Sequence, residues 1–283
     1  MKILVIGSSG QLGSEFNDLV PYYPDLELDF VDFPELDITK EAMVHEIFKN
    51  KTYDYCINCA AYTAVDLAEK DKEAAKLLNA TACLNLAKGC KPFEVTLIHI
   101  STDFVFNGNG NIPLKESQLT DPVNYYGLTK LKGELAIQGG LERYFIFRTS
   151  WLYSTFGKNF VKTMINLSAS KDELNIIIDQ LGSPTYARDL AEAILKIIQN
   201  QSTAYGIYHY SNEGVASWFD FTSAIFEFKG IATKVKPIPT KDYPTPAKRP
   251  HYSVMDKAKF KETFVIEIPH WRTSLKKCLE RLK

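Results

Sequence analysis

The sequence contains no uninterrupted apolar run of about eighteen residues, so no transmembrane helix is expected. It has almost no net charge: 33 Lys and Arg against 34 Asp and Glu leave −1. That removes the broad basic footprint of a nucleic-acid binder, and neither nucleic acid nor membrane is expected as a partner. Cysteine is scarce and odd in number, with five residues at wide spacing, which is not a disulfide framework. Cys56 and Cys59 form a C-x-x-C, but inside the strand-like YDYCINCAAY and with no second Cys pair or His pair nearby. Buried thiols are expected there, not zinc or redox chemistry. No secretion signal is evident either. The opening apolar run at residues 3–6 is too short and lacks a cleavage site, so it reads as the first buried strand of a cytoplasmic protein. Internal repeats and low-complexity segments are missing as well.

What is present is the composition of a globular enzyme-sized chain. Of 283 residues, 45% are hydrophobic and 24% charged, enough for a large core without staples. Strand-like runs at 2–7, 26–33, 53–58, 94–102 and 144–151 alternate with helical patterns at 10–20, 40–50, 72–88 and 124–138. This order predicts an α/β fold, a Rossmann-type doubly wound parallel sheet with helices on both faces. Beyond residue 151 the texture changes. Helices are expected at 158–168, 185–199, 217–228 and 269–282, with short strands at 175–179 and 206–211. The stretch 237–250 is proline-rich and so is expected to be extended or looped. Residues 1–150 are therefore expected to bind the cofactor, with the helix near 185–200 returning to them. Residues 151–283 should form mainly a smaller substrate lobe.

Gly7, Gly10 and Gly13 stand in the segment GSSGQLG, directly after a strand and opening a helix. Glycine there permits a tight turn and close approach of backbone to a pyrophosphate, with the helix N–H groups as donors. Gln11 and Leu12 belong to the same turn. Asp32, about twenty residues on at the end of the second strand, suits the ribose 2′-hydroxyl and would repel a 2′-phosphate. No Lys or Arg lies in the glycine loop, so NADH is expected over NADPH. Asp37 and Ile38 follow, near the expected adenine. Tyr126 and Lys130 form Y-x-x-x-K, which on a helix shares one face. The ammonium is expected to lower the tyrosine pKa and make it a proton donor to a carbonyl. Ser101, Thr102 and Asp103 end the fourth strand, where a hydroxyl points into the ligand crevice. Lys248 and Arg249, in a proline-rigid loop, suit a diphosphate, and Arg249 is expected on the substrate side. With Lys130 they are expected to face two anionic nucleotides.

On these residues the chain resembles the extended short-chain dehydrogenases/reductases. The runs NCAAYTAVDLAE, LLNATA, STDFVF, YYGLTKLKGE, RTSWLY, DQLGSPT and YPTPAKRPHYS narrow the resemblance to the dTDP-4-dehydrorhamnose reductases among them. The resemblance implies NADH- or NADPH-dependent reduction at C4 of dTDP-4-dehydro-L-rhamnose. It implies that Tyr126 gives the proton, Lys130 holds the ribose, Thr102 binds the carbonyl oxygen and Asp103 positions the sugar. Val65 and Trp151 would line the sugar pocket, and Ala60, Ala61, Tyr62 and Thr63 the turn along the cofactor. Some members are described with a magnesium-assisted dimer built on glutamates. Glu15 matches one such position, but Arg188 stands at another, so no metal is expected and monomer and homodimer both stay open. Two alternatives remain beside the reductase. One is a non-catalytic regulatory subunit like the β subunit of methionine adenosyltransferase. The other is a related reductase or epimerase of 4-keto-6-deoxy nucleotide sugars. Phe104 after Thr102-Asp103, where dehydratases carry Glu, speaks against elimination.

Overall fold

The computed structural model describes residues 1–282. Six short runs of mostly apolar residues form one parallel sheet. They are β1 Lys2–Ile6, β2 Glu27–Val31, β3 Tyr55–Asn58, β4 Thr96–Thr102, β5 Tyr144–Thr149 and β6 Gly206–His209. Their spatial order is β6-β5-β4-β3-β1-β2. In β1, Ile3 lies between Leu28 of β2 and Tyr55 of β3. The inner strands are buried almost throughout, as a parallel sheet covered on both faces requires.

The covering helices are α1 Gln11–Leu19, α2 Glu41–Asn50, α3 Ala82–Cys90, α4 Tyr125–Gly140 and α5 Ala187–Gln199. On one face α1 and α5 bury Phe16, Leu190, Ile194 and Ile198 against Ile3, Val5, Ile57 and Phe147. On the other, α2, α3 and α4 bury Val44, Phe48, Leu86 and Ile137 against Leu4, Ile6, Cys56 and Leu97. Gly89 lets α2 approach α3, since a Cβ there would lie 2.7 Å from Cγ1 of Val44. The chain leaves β1 for β2 on one side and reaches β3 on the other. That makes the carboxyl ends of β1 and β3 the topological switch point, where α/β folds take their ligands.

The second lobe has its own core of Tyr153, Val161, Tyr186, Phe221, Trp271 and Leu275. It is built by helices Phe160–Ser168, Trp218–Lys229 and Trp271–Arg281 and by the parallel strand pair Glu173–Ile177 with Lys234–Ile238. The proline-rich stretch begins inside the second of these strands and continues through a 3-10 turn at Thr240–Asp242.

Three features depart from expectation. The helix expected over 72–88 is Lys72–Lys76, a π turn at Leu77–Thr81, and then α3. The strand at 206–209, grouped by sequence with the second lobe, is the sixth strand of the large sheet, pairing with β5. A helix not expected from the sequence, Ala258–Phe264, also returns to that sheet and packs Phe260 and Phe264 beside Phe145 and Phe147. Both depend on partners far away in the chain, which local periodicity does not specify.

Candidate active site

At the end of β1 the backbone turns at Gly7 with φ +77, a left-handed conformation that favours glycine. A Cβ on Gly7 would lie 2.6 Å from the Ala60 nitrogen, and one on Gly13 would lie 2.4 Å from the Gly7 carbonyl oxygen. The turn, the first helix and the end of β3 are thus pressed together. Gly10 caps α1 with no side chain, and the first bond along the helix is Ser14 N–H to the Gly10 carbonyl at 2.9 Å. Gly10 N–H itself donates to the Gly7 carbonyl at 3.1 Å, which leaves the N–H groups of Gln11, Leu12 and Gly13 for a ligand. Oε1 of Gln11 is buried and has no partner. Glycine cradle, free helix terminus and orphaned oxygen all fit a dinucleotide.

Asp32 accepts from Ser9 N–H (2.9 Å), the Ser9 hydroxyl and Phe33 N–H (2.9 Å). Burial pushes its pKa up, but these hydrogen bonds hold the carboxyl below its usual range. Asp37 instead accepts from the hydroxyl and N–H of Thr39. Ile38 is buried in the core between α2 and α3 and gives its carbonyl to Asn85. Asp32, Asp37 and Ile38 do not line the cavity described next.

A cavity of about 560 Å³ opens along the carboxyl edge of the sheet. Its lining brings together Gly10, Gln11, Leu12, Ala61, Thr63, Val65, Thr102, Asp103, Tyr126, Lys130 and Trp151, all singled out from sequence. Ala60 and Tyr62 stand in the same β3 loop without lining the cavity. That loop is clamped by Asn79: Tyr62 N–H donates to Oδ1 (2.8 Å), while Nδ2 donates to the Tyr62 carbonyl (3.0 Å) and to Oγ1 of Thr129 (3.1 Å). Asn79 sits on the π turn. Sequence reasoning missed it; a lone amide in the apolar run LLNATA was the one available signal.

Thr102 ends β4. Its hydroxyl donates to Oδ1 of Asp103 (3.0 Å) and accepts from Phe104 N–H (3.2 Å). Oδ2 of Asp103 is buried without a partner. Burial pushes the Asp103 carboxyl up to about 6, against the pull of the neighbouring Ser253 and Thr102 hydroxyls. Tyr126 and Lys130 share a buried face of α4, which Asn124 caps by accepting from Gly127 N–H at 2.8 Å. Here the electrostatics differ from expectation. Burial pushes the Tyr126 hydroxyl up to about 12, with Thr102 opposing. Lys130 does not turn outward. Its Nζ donates to the Ile100 carbonyl (2.6 Å) and lies 3.2 Å from Nε2 of His99, and burial lowers its pKa. Lys130 therefore faces the sheet instead of joining Lys248 and Arg249 at one anion site.

A second cavity, about 790 Å³, lies beside the first and is lined by Asp66, Lys171, Asn175, Trp218, Tyr243 and Arg249 among others. Trp151 divides the two. It has φ +48, and its indole stacks on Trp218 at 3.6 Å between centroids and 7° between planes. Behind it Gly182 leaves room, since a Cβ there would lie 2.7 Å from the Trp151 ring. Arg249 lines this second cavity and makes a two-pronged pair with Asp66 (3.0 and 2.8 Å). Its carrier loop is tied to α4 by Asn124 Nδ2 donating to the Lys248 carbonyl (2.8 Å).

Glu15 and Arg188 lie elsewhere, on the seam between α1, α5 and the second lobe. Glu15 is buried and accepts from the Ser154 hydroxyl (2.6 Å) and Arg281 (3.3 Å), and Arg188 bonds Asp18. Among the described residues no group of His, Cys, Asp or Glu is placed to hold a metal.

A doubly wound parallel sheet, with this cavity at its switch point, defines a Rossmann-type fold of the short-chain dehydrogenase/reductase kind. A family model described as the RmlD substrate binding domain matches residues 1–283, and the chain belongs to that family. A dTDP-4-dehydrorhamnose reductase from Escherichia coli K12 is 37% identical, over 100% of this chain and 98% of the relative. The crystal structure of a dTDP-4-dehydrorhamnose reductase from Clostridium acetobutylicum superposes with a TM-score of 0.96 at 40% identity, covering 100% of this chain and 99% of that one. One from Bacillus anthracis, in complex with NADP, gives 0.95 at 36%, covering 99% of each chain.

Proposed function

We propose that this chain is a dTDP-4-dehydrorhamnose reductase, an oxidoreductase that reduces the C4 ketone of the dTDP-linked 4-keto sugar to the hydroxyl of dTDP-L-rhamnose. The observation that carries the reading is one cavity holding Thr102, Asp103, Tyr126 and Lys130 next to a glycine turn fit for a dinucleotide. A reduced nicotinamide supplies the hydride when bound at that turn. The Bacillus anthracis relative binds NADP. In this chain Asp32, already anchored by Ser9, favours a free ribose hydroxyl. Residues 1–150 fit a cofactor-binding role and 151–283 a mainly substrate-binding one. A cytoplasmic setting fits such an enzyme, and among the described residues no helix is long and apolar enough to cross a membrane.

The proton comes from the chain itself. Tyr126, with its pKa at about 12, keeps its hydrogen at neutral pH and offers it to the nascent C4 alkoxide. The Thr102 hydroxyl orients the same oxygen. Asp103 above about 6 is a carboxylate whose free Oδ2 accepts from a sugar hydroxyl. Trp151 forms the wall against which the sugar rests.

The test follows absorbance of NADH and of NADPH with dTDP-4-dehydrorhamnose. Wild type should turn over, and Tyr126→Phe should lose about a hundred- to ten-thousandfold in kcat/KM. Activity should fall as pH drops through about 6, where Asp103 takes up its proton. Absence of turnover by wild type with either cofactor would overturn the reading.

A further inference from the structure

Beneath the cavity floor a buried polar chain reaches Lys130 through two residues that the reaction above does not use. Asn58 ends β3, His99 sits mid-way along β4, and Lys130 rises from α4; their exposures are 1%, 1% and 2%. Ala60 N–H donates to Oδ1 of Asn58 at 3.1 Å. A backbone N–H can only donate, so the amide oxygen must face Ala60 and the NH₂ must face the other way. That NH₂ lies 3.1 Å from Nδ1 of His99. Nδ1 therefore accepts, and a neutral ring must carry its hydrogen on Nε2. Burial holds His99 well below its usual pKa, in keeping with a neutral ring. Nε2 is the atom 3.2 Å from Nζ of Lys130. An ammonium there would set donor against donor, whereas an uncharged amine offers a lone pair to Nε2–H and still donates to the Ile100 carbonyl at 2.6 Å.

We infer that Asn58 and His99 form a relay that fixes the His99 tautomer and thereby turns Nε2–H toward Nζ and makes Lys130 a weaker base than the other lysines, so that both are positioning residues for the Tyr126–Lys130 pair. The other groups facing Lys130 supply no free anion to oppose this. The Cys83 thiol on α3 donates to the Asn79 carbonyl, and burial pushes its pKa up to about 11. Glu134, one turn along α4, is taken by the Ser101 hydroxyl and by Arg148 in a fully buried pair. Tyr126 on the same helix keeps its proton. The consequence rests on the reductase reading: a less basic Lys130 exerts less pull on the Tyr126 proton, which burial already holds in place for donation.

The decisive measurement is ¹⁵N-histidine NMR of the wild-type chain without cofactor, with His99 assigned by its absence in His99→Gln. The expected state at neutral pH is a protonated Nε2 and a lone pair on Nδ1. A protonated Nδ1, or an imidazolium, would overturn the relay. A second readout is the ε-methylene NMR signal that Lys130→Met removes. It should titrate below the other lysines. Asn58→Asp lets one carboxylate oxygen keep Ala60 N–H while the other takes a hydrogen on Nδ1. The tautomer inverts, and the Lys130 titration should rise by about one pH unit or more. An unmoved titration would also overturn the relay. Neither readout needs turnover, so failure of the relay and failure of the reductase reading are separable: an inactive wild type with the expected tautomer loses only the latter.

Discussion

The two neighbouring cavities are built by different means. The first is floored by β4 and α4 and walled by the glycine turn, and its working groups are nearly all buried: Thr102, Asp103, Tyr126 and Lys130 are each at most 9% exposed. Their positions follow from sheet geometry and from short polar contacts such as the Asn79 clamp. The second is assembled from the lobe beyond residue 151 and one loop after β3. Its wall is an aromatic stack and its charges, Arg249 and Asp66, are partly open to water. In the proposed reading, the reaction chemistry, which tolerates little misplacement, falls where the backbone is held on both sides. In the proposed reading, recognition of a long substrate falls where side chains meet across a seam.

Substitutions can break this contrast. Among substitutions outside the proton donor, the largest effect is expected at Gly13→Ala, whose Cβ would lie 2.4 Å from the Gly7 carbonyl oxygen with only backbone around it. The turn must shift, at a cost of about 1–3 kcal/mol in stability. Dinucleotide affinity, read by fluorescence titration, should fall about a hundredfold, equivalent to roughly 2.8 kcal/mol. Unchanged binding would remove the turn from the cofactor site. A smaller effect is expected at Trp218→Ala. Losing a stacked partner costs about 0.5–1.5 kcal/mol, so KM for the sugar nucleotide should rise about fivefold with kcat little changed. A matching fall in kcat would place the stack in the chemical step. The smallest is Arg249→Ala. If Arg249 meets the diphosphate, kcat/KM falls several-fold; an unchanged value leaves it as a partner of Asp66 alone. The stability of a partly exposed pair is about 0.2–1 kcal/mol. The Arg249 bond comes first among the causes that hold Asp66 below its usual pKa. The pair's stabilisation is therefore full above the ordinary aspartate range and vanishes as pH falls through the lowered value. Melting curves of wild type and variant should converge in that acid window.

The same contrast explains what could be read in advance. The glycine turn, the strand-ending Thr102-Asp103 and the Tyr126/Lys130 pair are local signals, each fixed by spacing within one element, and the structure brings them to one cavity. Trp218 follows a capping box of Ser217 and Asp220 that marks its helix start, but nothing in the spacing shows that it meets Trp151. Arg249 finds Asp66 across 183 residues. His99 and Asn58 lie in strands buried on both faces, where no alternation separates a polar working residue from a core one. The direction of the Tyr126 shift is not legible for a related reason: helical spacing shows that Lys130 shares its face, but not that the amine turns toward Ile100.

The late arrival of β6 bears on how the chain is made. During synthesis the ribosome must produce the first five strands of the sheet, pass into the second lobe, and only then emit the strand that covers β5. Until then Phe145 and Phe147 lack Tyr208, and they lack Phe260 and Phe264 until some fifty residues later still. A nascent or truncated chain ending near residue 150 therefore exposes an apolar strand with a free edge, the kind of surface that chaperones hold and that aggregates recruit. The half of the molecule that looks complete first in sequence is among the last to be sealed.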